Sequence, residues 1–224
     1  LGEMSLSLIH EIRTPLSVIT TLASSLQDLL DEPTLERDVM KSHARQIETT
    51  AFQVEQILQN LRSLYGNAPP SAPALLSAER LSEEATRLSQ KRVKEAGVEL
   101  RWKLPKDPLQ FKGNFVQLTQ ALVNLIHNAC DAVADGREKW VQIDITARGK
   151  QVQISVTDSG PGLGQSLHQK VFEPFYSTKA SDQNTNLGLG LSLCQRIIQQ
   201  HGGQIRIDGR CKNTRFVMSL PKQA

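Results

Sequence analysis

Apolar residues recur along the first 65 positions in steps of three and four. Ile12, Leu16, Ile19, Ala23, Leu26 and Leu30 make one such run, and a break follows at Asp31-Glu32-Pro33. Met40, Ile47, Val54 and Leu61 then return every seven residues, joined by Ala44, Ala51 and Leu58. This spacing predicts two antiparallel helices with a bundle-type stripe. Two helices cannot enclose a core, so the hairpin is expected to pair with a second copy as a four-helix bundle, in a homodimer. Packing of the stripe against the rest of the chain is the alternative.

Gly66-Asn67-Ala68-Pro69-Pro70-Ser71-Ala72-Pro73 interrupts the helical pattern with three prolines in eight residues and reads as a linker. The expected division is therefore residues 1–66 and 67–224. The second part is large enough to fold alone. Its pattern alternates helix with strand. Phe115, Leu118, Leu122, Leu125, Ala129 and Val133 mark a helix. Gln151 to Asp158 alternates strictly and predicts a half-buried strand, with Val152, Ile154, Val156 and Asp158 on the core side. A second helix follows Leu187-Gly188-Leu189-Gly190 and closes near His201-Gly202. Two short strands, 204–208 and 215–220, complete the sheet.

Composition narrows the class. Among 224 residues, 39% are hydrophobic and 22% charged, as in a folded soluble protein. Charges break every apolar stretch well short of the ~18 residues that span a bilayer, so no membrane contact is expected. No basic-then-apolar leader opens the chain. A formal charge of +3, without basic runs interleaved with aromatics, argues against nucleic acid. Cys130, Cys194 and Cys211 are odd in number and widely spaced, which points to a reducing, cytoplasmic setting and structural thiols.

Chemistry concentrates at three places. Pro15 lies inside the first helical pattern, where it removes a backbone hydrogen bond and clashes with the carbonyl of Glu11, at a cost of about 3 kcal/mol. Beside it stand His10, Glu11 and Thr14, with His10 and Thr14 one turn apart on one face. A neutral imidazole whose tautomer is held by a carboxylate can attack phosphorus. In the second part, Asn124, Asn128 and Asp131 recur at i, i+4 and i+7. Asparagine is a mediocre helix former. The face is therefore either simply solvated or a set of hard oxygen ligands suited to Mg²⁺. Asp158, on the apolar side of a strand end, requires a hydrogen-bonding partner. An exocyclic amine such as that of adenine could supply one, with Ser159-Gly160-Pro161-Gly162 letting backbone approach a flat ligand. The polar stretch that ends at Asn186 is long enough for a lid, and the helix that follows Gly188-Leu189-Gly190 offers free N–H groups to phosphate.

His10-Glu11-Ile12-Arg13-Thr14-Pro15, Asn124-x-x-x-Asn128-Ala129, Asp158-x-Gly160-x-Gly162, Phe172-Glu173-Pro174-Phe175 and Gly188-Leu189-Gly190-Leu191 resemble, in this order, the H, N, G1, F and G2 boxes of sensor histidine kinases. The resemblance covers nearly the whole chain. It implies a dimerisation and phosphotransfer hairpin followed by an α/β sandwich of the histidine kinase, gyrase and Hsp90 type. It implies transfer of the ATP γ-phosphate to His10 and then to an aspartate of a response-regulator receiver domain, with regulator phosphatase activity as an added possibility. Asn128 would bind Mg²⁺, Asn124 would lie close to the phosphates, and Asp158 would hold the adenine amine. Gly160, Gly162, Gly188 and Gly190 would shape the pocket and the lid hinges. Glu11 would be the base or tautomer holder, Thr14 would orient water, and Lys179 is added as a phosphate contact.

Two departures stand out. Asn186 replaces a glycine usual before the G2 box, and Asp131 stands where some branches carry a basic residue. The chain begins nine residues before His10, so a fragment lacking the upstream turns of its first helix is expected. A silent nucleotide-binding scaffold and a hydrolysing ATPase are the competing readings. The intact boxes argue against the first. Asn124 argues against the second, because an amide cannot take a proton from water.

Overall fold

The computed structural model describes residues 2–31, 37–65, 74–174, 176 and 188–222, with side chains described from Ile12 onward and, on the second helix, only in part. The chain divides into two compact units, a helical hairpin and an α/β unit.

In the hairpin, α1 (Gly2–Asp31) runs unbroken through Pro15 and packs along α2 (Arg37–Tyr65). The apolar stripe is wider than the contact it makes. Ile12, Ile19 and Leu26 are half-buried, as expected, but Leu16, Ala23 and Leu30 from the same run are exposed. On α2, Met40, Ile47 and Val54 turn inward together with His43 and Thr50, while Ala44 and Ala51 stay exposed. The stripe thus serves the α1–α2 contact with one edge and leaves the other uncovered. Thr50 fits indoors because its hydroxyl donates to the Gln46 carbonyl at 2.7 Å.

The second unit contains β1 (Ala74–Ser77), α3 (Ala78–Glu95), β2 (Glu99–Lys103), β3 (Gln110–Gly113) and α4 (Phe115–Ala132). After these come β4 (Trp140–Arg148), β5 (Gln151–Asp158), two short 3-10 turns, α5 (Gly190–Gln200), β6 (Gln204–Ile207) and β7 (Arg215–Pro221). β1 and β3 form an antiparallel pair, and the other strands make a sheet in the order β2-β4-β5-β7-β6. The β2–β4 pair is parallel and the remaining pairs are antiparallel. The three helices cover one face of this sheet. Leu118, Leu122, Leu125 and Ile126 of α4 are packed there with Ile143, Ile145, Ile154 and Ile198, all at most 2% exposed.

Local chemistry sets the helix starts. Ser77 caps α3 by accepting from Arg80 N at 3.1 Å, and Asn114 caps α4 by accepting from Gln117 N at 3.1 Å. A longer-range tie joins α4 to α5. His201, just past α5, accepts the Asn114 backbone N–H on Nε2 at 2.9 Å and donates from Nδ1 to the Ile197 carbonyl at 2.7 Å. Those two partners fix the neutral imidazole in its Nδ1–H form.

β5 departs from the half-buried expectation. Ser155 and Thr157 are buried as well as their inward neighbours. The strand lies inside the sheet, and on its outer face Arg215 Nη2 reaches across to the Ser155 hydroxyl at 3.2 Å.

Candidate nucleotide site

The site forms where the C-terminal half of α4 meets the end of β5 and the start of α5. Asp158, the last residue of β5, is 2% exposed. Its backbone N–H donates to the Thr214 carbonyl at 3.1 Å, and its Oδ1 accepts from Gly160 N at 2.8 Å. Burial pushes its pKa up to about 6, against the pull of the Gly160 N–H and the Thr214 hydroxyl. A buried carboxylate with two donors keeps acceptor capacity for a third.

The turn after Asp158 is built for glycine. A Cβ on Gly160 would stand 2.8 Å from Asp158 Oδ1 and 3.2 Å from the Ala132 carbonyl, so the turn lies against the last residue of α4. Gly162 has φ +85°, and a Cβ there would meet the Lys212 carbonyl at 2.6 Å. The Asn213 amide donates to the Gly160 carbonyl at 3.0 Å. The 208–214 turn therefore buttresses the glycine turn. Behind both lies a cavity of about 250 Å³ lined by Gly162, Leu163, His168, Cys211 and Thr214 among others; Asn128 and Asp158 do not line it.

Across α4, a Cβ on Gly190 would come 3.9 Å from Asn128 Nδ2, which sets the first residue of α5 beside the Asn128 amide. Gly188, two residues earlier, has φ +65°. The amide of Asn124 sits against the Cys194 thiol, its buried Nδ2 without a hydrogen bond of ordinary geometry. Burial drives the Cys194 thiol up to about 12 and the Cys130 thiol up to about 11, so both are inert packing groups. Asp131 forms an ion pair with Arg92 of α3.

The structure thus brings Asn124, Asn128, Asp158, Gly160 and Gly190 together around one half of α4, with Gly162 against Lys212 and Gly188 two residues before Gly190. His10 and Glu11 lie on α1 in the other unit, with side chains outside those described. Thr14 is exposed and lines a groove on the hairpin with Arg13, Ser17, Val18, Thr21 and Leu22. Lys179 and Asn186 lie outside the described residues. Sequence reasoning missed Thr214, Asn213 and Arg92. Each acts on a site residue more than thirty positions away, and no local spacing signals it.

Residues 113–224 match the family described as histidine kinase-, DNA gyrase B- and HSP90-like ATPases. The chain is 27% identical over 224 residues to the C4-dicarboxylate transport sensor protein DctB of Rhizobium meliloti, covering 99% of this chain and 35% of that protein. It is 30% identical over 226 residues to the sensor protein FixL of Bradyrhizobium diazoefficiens, covering 99% of this chain and 43% of that one. The chain therefore spans well under half the length of these relatives. Among solved structures, histidine kinase ThkA in complex with response regulator protein TrrA superposes with a TM-score of 0.73 at 25% identity, over 100% of this chain and 62% of that one. A helical part, an α/β unit of this ATPase type and the ordered motifs agree: the chain is similar over its whole length to sensor histidine kinases, and it belongs to the histidine kinase-, DNA gyrase B- and HSP90-like ATPase family.

Proposed function

We propose that residues 1–66 are the dimerisation and histidine phosphotransfer part and residues 67–224 the catalytic ATP-binding part of a protein histidine kinase working in the cytoplasm. In the reaction, a ring nitrogen of His10 attacks the γ-phosphorus of ATP. An N–P bond forms, the bridging P–O bond breaks, ADP leaves, and the phosphoryl group passes on to an aspartate of a receiver domain. The observation that carries this reading is the buried Asp158 carboxylate, closed on two sides by Gly160 N–H and Thr214 and set against the end of the helix that bears Asn128.

Asp158 accepts from the adenine amine, and Gly160 and Gly162 let the turn pack against the Ala132 and Lys212 carbonyls, which holds that carboxylate in place. Gly188 supplies the positive φ that leads into α5, whose first N–H groups near Gly190 face phosphate oxygens. An amide oxygen beside that helix start is a hard donor without charge, which fits Mg²⁺ with most of its own water retained, so Asn128 would hold the ion. When bound, Mg²⁺ neutralises charge on the phosphate oxygens during transfer. Asn124, wedged against a thiol, has no basicity to activate water, which favours the imidazole as acceptor. Glu11 holds the second ring N–H of His10 or takes its proton. Thr14 orients water when the phosphorylated partner is hydrolysed. Lys179 contributes a further phosphate contact. The exposed edge of the hairpin stripe, with Leu16 at 47% and Leu30 at 59%, supports pairing with a second copy.

The test is incubation with γ-labelled ATP and Mg²⁺, comparing the native chain with His10→Gln. The native chain is expected to gain label that survives alkali and is lost in acid. His10→Gln is expected to gain none while still binding nucleotide. Acid-labile label on the variant would remove His10 from the mechanism.

A further inference from the structure

On α4, Asp131 follows Asn128 by three positions, which sets it about 60° round the helix and one turn toward the C-terminus. Its side chain is only 10% exposed, a costly place for a lone carboxylate, and the charge is balanced from another element. Arg92, near the end of α3 and 39 residues earlier, gives one N–H of Nη2 to Asp131 Oδ1. The guanidinium lies beside the C-terminal half of α4, where burial lowers the pKa of the neighbouring His127 and the Arg92 charge adds to that lowering. Nearly half of the Arg92 side chain stays exposed. A guanidinium carries five N–H donors in a planar fork, so one bond to a tethering carboxylate leaves others for an oxyanion.

A nucleotide polyphosphate brings several negative charges to the Asn128 face. The described residues grouped there, Asn124, Asn128, Asp158 and the glycines, carry no cationic side chain. Asp131 left by itself would repel such a ligand. Paired with Arg92 it becomes a tether that holds a cation one turn from the Asn128 amide. We infer that Arg92, oriented by Asp131, binds the phosphate chain of the nucleotide. This rests on the proposed nucleotide site between Asp158 and Asn128.

The experiment measures dissociation constants of ATP, ADP and adenosine by calorimetry, with Mg²⁺, for the native chain, Arg92→Gln and Arg92→Lys. Loss of a charge-assisted contact predicts that Arg92→Gln weakens ATP and ADP by about tenfold and leaves adenosine within about twofold. Lysine keeps the charge without the fork, so Arg92→Lys is expected to lose about threefold on ATP and ADP alone. Should Arg92→Gln fail to fold, the same split in Arg92→Lys decides. Equal weakening of all three ligands would make the ion pair purely structural and overturn the assignment, as would no weakening at all. A native chain that binds neither adenosine nor ATP would overturn the nucleotide site itself.

Discussion

In the α/β unit, Leu122, Leu125, Ile143 and Ile198 are wholly withdrawn from water, whereas in the hairpin Leu16 and Leu30 remain 47% and 59% exposed. Among the described side chains of the hairpin, Thr50 alone is buried. Three helices over a five-stranded sheet close a core; two helices side by side do not. The proposed nucleotide site thus lies in the half whose core is closed, and the proposed phosphoryl acceptor, His10, in the half whose apolar edge stays open. A self-contained donor domain and an acceptor finished by its partners is the division of labour this contrast supports.

The largest test of the contrast compares Leu122→Ala with Leu30→Ala. Truncating Leu122 is expected to cost about 3 kcal/mol, read as a lower denaturation midpoint at every protein concentration. Leu30→Ala is expected to leave that midpoint unchanged and to weaken self-association in sedimentation. Equal penalties on folding would erase the distinction. Next in size is Asp158→Asn, expected to weaken ATP by about 1.5–3 kcal/mol, the range for hydrogen bonds to charged groups. It should not weaken folding at neutral pH. With a folded-state pKa of about 6 against 3.8, Asp158 binds more protons in the folded than in the unfolded protein between those values. Its contribution to stability is therefore full below about pH 4 and lost as pH rises through about 6. Thermal melts from pH 4 to 8 are expected to show that decline in the native chain and its absence in the variant. The smallest effect is expected from Thr14→Ala, which should leave autophosphorylation intact and slow receiver dephosphorylation by about tenfold, one hydrogen bond's worth. Equal loss of both activities would contradict separate roles for Thr14 and His10.

Periodicity made α4 and β5 legible, because each has a run of helically spaced or alternating apolar residues that a single element must bury, and α5 was legible from the glycine turn before it and His201-Gly202 after it. The glycine turn and the inward parity of Asp158 were legible for the same reason. What joins these pieces was not. The parallel pairing of β2 with β4 sets Leu100 beside Val141, across a stretch that includes α4, and sequence spacing carries no trace of it. Thr214 reaches Asp158 only because Thr157 pairs with Arg215. In the hairpin, the heptad pattern announced a stripe but not which edge faces α2. Ala44 and Ala51 continue the apolar run, yet His43 and Thr50 take the inside places, Thr50 by bonding its own helix. A stripe broad enough for two interfaces cannot say which comes first.

The tie through His201 has a mechanical consequence. It pins the beginning of α4 to the end of α5, and a second tie, the Cys194 thiol donating to the Ala121 carbonyl at 3.4 Å, joins the same two helices again before Asn128 and Gly190 are reached. Asn128 lies seven residues past Ala121, which leaves an arm of about 10 Å beyond the second tie. A swing of about 5° over so short an arm would change the Asn128–Gly190 gap by only about 1 Å, so the paired ties hold that gap close to one width.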